Sequence, residues 1–253
     1  MAQVRLLQSL TKGLKLLLWL REVEQPMGLN EITRQIGLPN GTTYRVLKTL
    51  EQLEFVEKDY GTDNYKIGRN ALYVGQGFIS SSKRDRLRNI LKEASADTQQ
   101  TVTVSALDGE SVLFLDIYDG PGRVKVTVHA GSRVPAYASA SGKAILSCLK
   151  DSQILQRFKG VKFQRLTPHT LTTMDRLLAD LAKIRQRGFA ENEEEVTNGL
   201  SALSVPINDG NGGSIAALNV VYPAGIIRLK DKIDLVKKLR AHADEIAKIG
   251  DLV

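Results

Sequence analysis

Between residues 29 and 53 two short stretches of helical periodicity meet at Gly37-Leu38-Pro39, and this junction restricts the chain more than any other feature. Proline holds the residue before it extended, and glycine can take the left-handed backbone that closes a helix. A helix over Leu29–Ile36 must therefore stop at Gly37, and a new one must begin near Asn40. Ile32 and Ile36 give the shorter helix its inner face, and Asn30 is placed to cap its start. Over about Asn40–Leu53, Val46, Leu47, Leu50 and Leu53 form one apolar stripe and leave Thr43, Arg45, Lys48, Thr49 and Gln52 outside. Upstream, Leu10, Leu14, Leu17, Leu18 and Val23 recur at helical spacing, so a first helix is expected from Ser9, its cap, to about Glu24, ended by Gln25, Pro26 and Gly28.

Two short helices joined by a tight turn, the second carrying hydroxyls, an aromatic ring and cations near its start, have the layout of a helix-turn-helix whose second helix enters the DNA major groove. Arg45 suits a guanine edge or a phosphate. Phe55–Lys58 and Tyr65–Ile67 flank a polar segment containing Gly61, which predicts a hairpin beside the helices, a wing. Charge adds little to this reading. The chain carries a formal +7, but residues 1–70 hold ten Lys/Arg against eight Asp/Glu, so order and spacing carry the inference.

Leu72, Gly75 and Phe78, the serines at 80–82 and the basic cluster Lys83, Arg84, Arg86 and Arg88 read as a connecting segment and a solvated helix start. The expected division is a winged helix-turn-helix over 1–68, a linker helix over 69–83 and a second domain over 84–253. In that domain a helix over about 87–96 precedes strands at 101–106 and 112–117 around Asp108-Gly109, and a further strand at 124–128. Helices at about 141–149 and 174–187 follow, then strands at 202–207 and 214–221 joined by the turn 208–213, then a helix over about 230–249. Strands bracketed by helices at both ends indicate an antiparallel α+β sheet rather than a doubly wound one.

The stretch LNEITRQIGLPNGTTYRVLKTLEQLEFVEK from Leu29, with SLTKGLKLLLWL before it, resembles the winged helix-turn-helix of the IclR family of bacterial regulators. In the second domain GSRVPAYASASGKAIL from Gly131, IRQRGFAENEEEVTNGLSALSVPI from Ile184 and GSIAALNV from Gly213 resemble, in the same order, the family's effector-binding domain, a fold similar to GAF and PAS sensors. The resemblance implies a ligand-responsive regulator that binds double-stranded operator DNA, senses a small organic acid and assembles as a homodimer or a dimer-of-dimers tetramer. DNA contacts are expected at Ser9 and Lys12, at Asn30, at Asn40, Gly41, Thr42, Thr43, Tyr44, Arg45 and Lys48 of the longer helix, and at Lys58 of the wing. Effector contacts are implied at Val126, Val134, Tyr137, Ser139, Ala140, Ser141, Asn192, Leu200, Ala202, Asn219 and Val221. Ser139–Lys143 leads into a helix, so its amides and the positive end of the helix dipole suit a carboxylate. Several positions depart from the family pattern: Asn192 stands where an acidic residue is frequent, Ala202 and Val221 where cysteine or serine occurs, and Tyr137 where histidine is common. These departures favour an aromatic or alkyl-bearing acid over a very small keto acid.

Other chemistries find little support. Gly142-Lys143 lacks the first glycine and the magnesium-binding hydroxyl of a phosphate-binding loop, since Tyr137 and Ala144 occupy those places. His129, His169 and His242 are scattered and sit in no nucleophile–base motif, and Glu193-Glu194-Glu195 reads as a solvated strand entry. No catalytic residue, metal or cofactor is expected. Cys148 is the only cysteine and no apolar run is long enough to span a bilayer, which points to the cytoplasm and away from a membrane. The rival readings are a small-molecule-processing enzyme with an N-terminal interaction domain, and a DNA-binding architectural protein without an effector.

Overall fold

The computed structural model describes residues 6–250 apart from 24, 60, 78–80, 123–128 and 209–213. The chain divides into two compact units, 1–80 and 81–253.

In the first unit, helices α1 (Gln8–Arg21), α2 (Leu29–Ile36) and α3 (Asn40–Gln52) precede an antiparallel hairpin, β1 (Val56–Lys58) and β2 (Tyr65–Ile67), and a short helix α4 (Arg69–Gln76). Gly37 closes α2 at φ +68°, and Leu38-Pro39 carries the chain extended into α3. Leu16, Leu20, Ile32, Leu47, Val56 and Tyr65 form the core. Three local expectations change here. Helix α1 begins one residue before Ser9, without a side-chain cap, and stops at Arg21 rather than near Glu24. Its buried positions are Leu16 and Leu20, whereas Leu10, Leu14 and Leu18 are more than half exposed. With leucines on several sides of the helix, periodicity alone did not decide which side faces the core. Leu53, expected in the α3 stripe, lies past the end of the helix and is exposed.

The second unit opens with α5 (Ser81–Thr98) and the hairpin β3 (Thr101–Asp108) and β4 (Ser111–Tyr118), turned by Gly109 at φ +60°. β5 (Arg133–Pro135), α6 (Ala140–Ser147), α7 (Asp151–Arg157), α8 (Met174–Arg187), β6 (Ala190–Glu193), β7 (Leu200–Asn208), β8 (Ser214–Pro223) and α9 (Leu229–Ala247) follow. The expected strand at 124–128 lies outside the described residues, as does most of the expected turn at 208–213. The segment expected to link the domains holds α4, which belongs to the first unit, and the start of α5, which belongs to the second. The six strands form one antiparallel sheet in the order β5-β4-β3-β8-β7-β6, the α+β architecture read from the sequence.

Alternation along the strands separates the two faces. Val102 and Val104, Leu203 and Val205, and Leu218 and Val220 pack with Leu87 and Leu91 of α5 and with Leu239 and Ile246 of α9. On the opposite face Val112 and Ala217 pack with Ile145, Leu177 and Leu181 of α6 and α8. That second face also carries small polar residues: Thr103 lies opposite Asn219, and Asn219 opposite Ser204, in adjacent strands.

Candidate functional site

In the first unit the outward stripe of α3 is Gly41, Arg45, Lys48 and Gln52, all exposed. Arg45 Nε donates to Gly41 O at 3.3 Å, which rests the guanidinium along the helix. The Lys48 ammonium lies 2.8 Å from Glu51, and that hydrogen bond holds its pKa above the usual lysine value. Tyr44 is exposed beside this stripe. Ser9 and Lys12 of α1 share one groove of about 640 Å3 with Thr42, Arg45 and Thr49 of α3, floored by Leu14, Val46 and Leu50.

Four expected DNA contacts have other work. Thr43 is wholly buried and its hydroxyl donates to Pro39 O, so it faces the core and not a groove of DNA. Asn30 does not cap α2, which starts after Gly28. Its Oδ1 accepts from Asn40 Nδ2 at 3.3 Å while Asn40 Oδ1 accepts from Thr33, so both asparagines tie the start of α3 to α2. Lys58 sits 2.7 Å from Asp63 and over the Tyr65 ring, its cation engaged within the hairpin.

In the second unit the polar sheet face and the start of α6 enclose a cavity of about 80 Å3. Ser139 lines it from the cap of α6, Ala140 and Ser141 from its first turn, Val134 from β5, Asn192 from β6, Leu200 and Ala202 from β7, and Asn219 and Val221 from β8. Val126 lies outside the described residues. Phe114, Val196, Thr197 and Ser201 also line the cavity and were not anticipated, because their places are set by a strand crossing and a loop rather than by a motif. Ser139 caps α6, its hydroxyl accepting from Gly142 N–H at 3.1 Å. The next two amides, of Ala140 and Ser141, donate to no acceptor among the described residues, so the positive helix end opens on the cavity. Asn219 Nδ2 donates to Thr103 at 3.2 Å, whereas its Oδ1 is buried without a partner among the described residues. Among the described residues, no side chain lining the cavity carries a charge.

Tyr137 is not on this wall. Its hydroxyl donates to Gln164 O and accepts from Gln164 N–H, its ring stacks on Phe163 with centroids 4.2 Å apart, and burial pushes the phenol pKa up. An aromatic cluster has turned it away.

Behind α6 sits a feature that the sequence did not reveal. Lys143, 2% exposed, places Nζ 2.6 Å from Glu195 and 2.9 Å from Asp180 of α8. Glu195, expected to be solvated with Glu193 and Glu194, is therefore buried, because its partner cation comes from 52 residues away. Desolvation raises its pKa above the usual carboxylate value even though Lys143 pulls the other way. Glu195 N–H donates to Asn192 Oδ1 at 2.7 Å, so the ion cluster fixes the 192–197 segment that lines the cavity.

The comparisons with known proteins agree on one lineage. Residues 9–60 match the IclR helix-turn-helix domain, and residues 81–248 match the bacterial transcriptional regulator IclR C-terminal domain. The chain belongs to the IclR family. It is 32% identical to the acetate operon repressor of Salmonella typhimurium over 244 residues, which cover 95% of this chain and 88% of that protein. A crystal structure of an IclR transcriptional regulator from Alicyclobacillus acidocaldarius superposes with a TM-score of 0.85 at 23% identity, covering 97% and 99% of the two chains. An IclR homologue from Microbacterium hydrocarbonoxydans, crystallised with 4-hydroxybenzoate, superposes with a TM-score of 0.81 at 21% identity, covering 95% and 98%. This IclR-family protein is a DNA-binding transcription regulator with a C-terminal effector-binding domain, and its curated relatives are regulators, not enzymes. No helix among the described residues is long and apolar enough to cross a membrane.

Proposed function

We propose that this regulator acts in the cytoplasm, binding operator DNA through α3 and its wing and sensing a small aromatic or alkyl-bearing organic acid in the cavity at the start of α6. The observation that carries the ligand reading is the meeting, in one cavity lined among the described residues by uncharged side chains, of two undonated amides at the start of α6 with the carboxamides of Asn192 and Asn219. A carboxylate there is met by the helix dipole and backbone N–H groups, and Asn219 Oδ1 offers an acceptor to a hydroxyl. Phe114, Val134, Leu200 and Val221 surround the rest of the molecule with apolar surface. The volume is worth several waters at about 10–15 Å3 each, which suits a compact acid. The 4-hydroxybenzoate held by the Microbacterium homologue has the same chemistry of carboxylate, ring and hydroxyl.

In this reading the winged helix-turn-helix spans 1–68, residues 69–83 connect it to the sensor over 84–253, and acid binding alters operator affinity by a coupling of about 1–3 kcal/mol. Reading two half-sites requires two copies, so the working form is a homodimer or a dimer of dimers. The exposed Leu10, Leu14 and Leu18 on α1 offer an apolar surface for that pairing.

A panel of aromatic and aliphatic carboxylic acids, each paired with its primary amide, tests the proposal by thermal shift and then by fluorescence anisotropy on operator DNA. One acid or a small group is expected to raise Tm and change operator affinity, with the amides silent. Equal binding by an amide would refute the α6 carboxylate site, and Tm shifts without any change in operator affinity would refute the coupling.

A further inference from the structure

On the sheet face away from the effector cavity, α5 and α9 run antiparallel: Lys83 Nζ donates to Gly250 O near one end, and Lys238 Nζ to Asp97 O near the other. Close to that second end, His242 of α9 is 8% exposed. Its Nε2 lies 2.8 Å from Asp97 Oδ2. The other ring nitrogen, Nδ1, is buried and has no hydrogen-bond partner among the described residues. A buried imidazole nitrogen left without a partner calls for a group that the protein itself does not supply. Two further side chains converge on this ring. Glu93 of α5 and Glu245 of α9 are both exposed, and with His242 they bring one ligand atom each within 4.8 Å of one another. Two carboxylates at that separation repel each other unless a cation lies between them.

We propose that Glu93, His242 and Glu245 form a binding site for a divalent first-row cation, zinc by preference, that clasps α5 to α9. The donor set of one imidazole nitrogen and two carboxylate oxygens fits zinc, with a water completing four-coordination. The second contact of the ring supports the same reading: with Nε2 turned to Asp97, Nδ1 is the nitrogen left for a metal, and metal-ligating histidines are oriented by an outer carboxylate in this way. Tetrahedral zinc at about 2.0–2.1 Å from each donor sets the donors roughly 3.3 Å apart, so the two exposed glutamates need to close in by a short swing. Spacing along the chain conceals the site. His242 and Glu245 share a face of α9 as an i,i+3 pair, but Glu93 comes from a helix at the opposite end of the domain and only the fold delivers it.

The test uses the full-length protein freed of metal by chelation. Zinc chloride is titrated by calorimetry and thermal shift, beside Glu93→Gln, Glu245→Gln and His242→Gln. The wild type is expected to bind one zinc per chain and to gain about 5–10 °C in Tm at a hundredfold excess over Kd. Each glutamine variant should weaken binding at least tenfold, and the two glutamate variants, being at exposed positions, keep their metal-free Tm even if His242→Gln unfolds. Substituted cobalt(II) should give a visible spectrum without a thiolate charge-transfer band, which separates this site from Cys148. Absence of zinc binding by the wild type, or binding unchanged in Glu93→Gln and Glu245→Gln, would overturn the proposal.

Discussion

Replacing Lys143 by methionine probes the ion cluster behind α6 most directly. Methionine keeps much of the side-chain volume, so the change removes a charge and leaves little void. The ammonium it deletes is 2.6 Å from Glu195 and 2.9 Å from Asp180. Their side chains are only 10% and 24% exposed, so neither is freely rehydrated. Removing one member of a buried ion pair costs about 3–5 kcal/mol, because the remaining charge stays desolvated. For a domain of this size that is a fall in Tm of about 6–20 °C. The sign of the pH dependence follows from Glu195. Burial already raises its folded pKa above the ordinary 4.5, and Lys143 is the principal influence lowering it. Without Lys143 the folded pKa rises further while the unfolded value stays put. The folded variant then takes up a proton at a higher pH than the wild type does, so the penalty is greatest at neutral pH and shrinks as pH falls through the raised value. Urea denaturation at pH 7.5 and at pH 5 measures both effects, and adding Glu195→Gln to Lys143→Met should return part of the loss as a positive coupling. A penalty below about 1 kcal/mol, or one that does not change with pH, would show that the cluster is hydrated and does not hold the 192–197 segment.

Arg45→Ala should weaken operator binding by about 1–3 kcal/mol in fluorescence anisotropy while leaving stability nearly unchanged, since its side chain points outward. Thr43→Val, one helical step away from Thr42, should do the reverse: it loses about 1 kcal/mol of stability with the hydrogen bond to Pro39 and keeps its operator affinity, as denaturation and binding titrations would reveal. Gly142→Ala drives a methyl group into the backbone of Ala136, so a loss of about 1–3 kcal/mol in denaturation and a weaker effector-induced Tm shift are expected. Leu14→Glu, at a position 52% exposed, should move the assembly toward monomer in light scattering without unfolding it.

Where the sequence was legible, the cause of the structure lay close by in the chain. The α2–α3 junction is read from Gly37 and Pro39 because one residue supplies a left-handed backbone and the other forbids a helix before it, and both effects act within a few residues. The start of α6 is similar: Ser139, read from the sequence as leading into a helix, caps it by accepting from the amide three residues ahead. Thr43 marks the point at which local pattern stops deciding. Both Thr42 and Thr43 read as polar, yet a threonine can bury itself on a helix by returning its hydroxyl to the carbonyl four residues back, and a rotation of about 100° per residue separates the groove from the core. The leucines of α1 fail in the opposite sense, since too many faces are apolar for any one to announce itself as the inner face. β6 and the ion cluster were beyond reach for a stronger reason. The sequence Ala-Glu-Asn-Glu has no strand pattern of its own and becomes a strand through its ladder with β7, where Asn192 sits opposite Ala202. Likewise nothing near Lys143 distinguishes it from a solvated lysine, and its burial depends on carboxylates delivered by α8 and by the segment after β6. A polar residue on a strand can thus be assigned to a buried face by period alone, but whether its charge or amide is left facing a ligand is set by partners that only the folded chain assembles. That is why the unpartnered oxygen of Asn219, more than any motif around it, supports the proposal that the cavity takes a ligand.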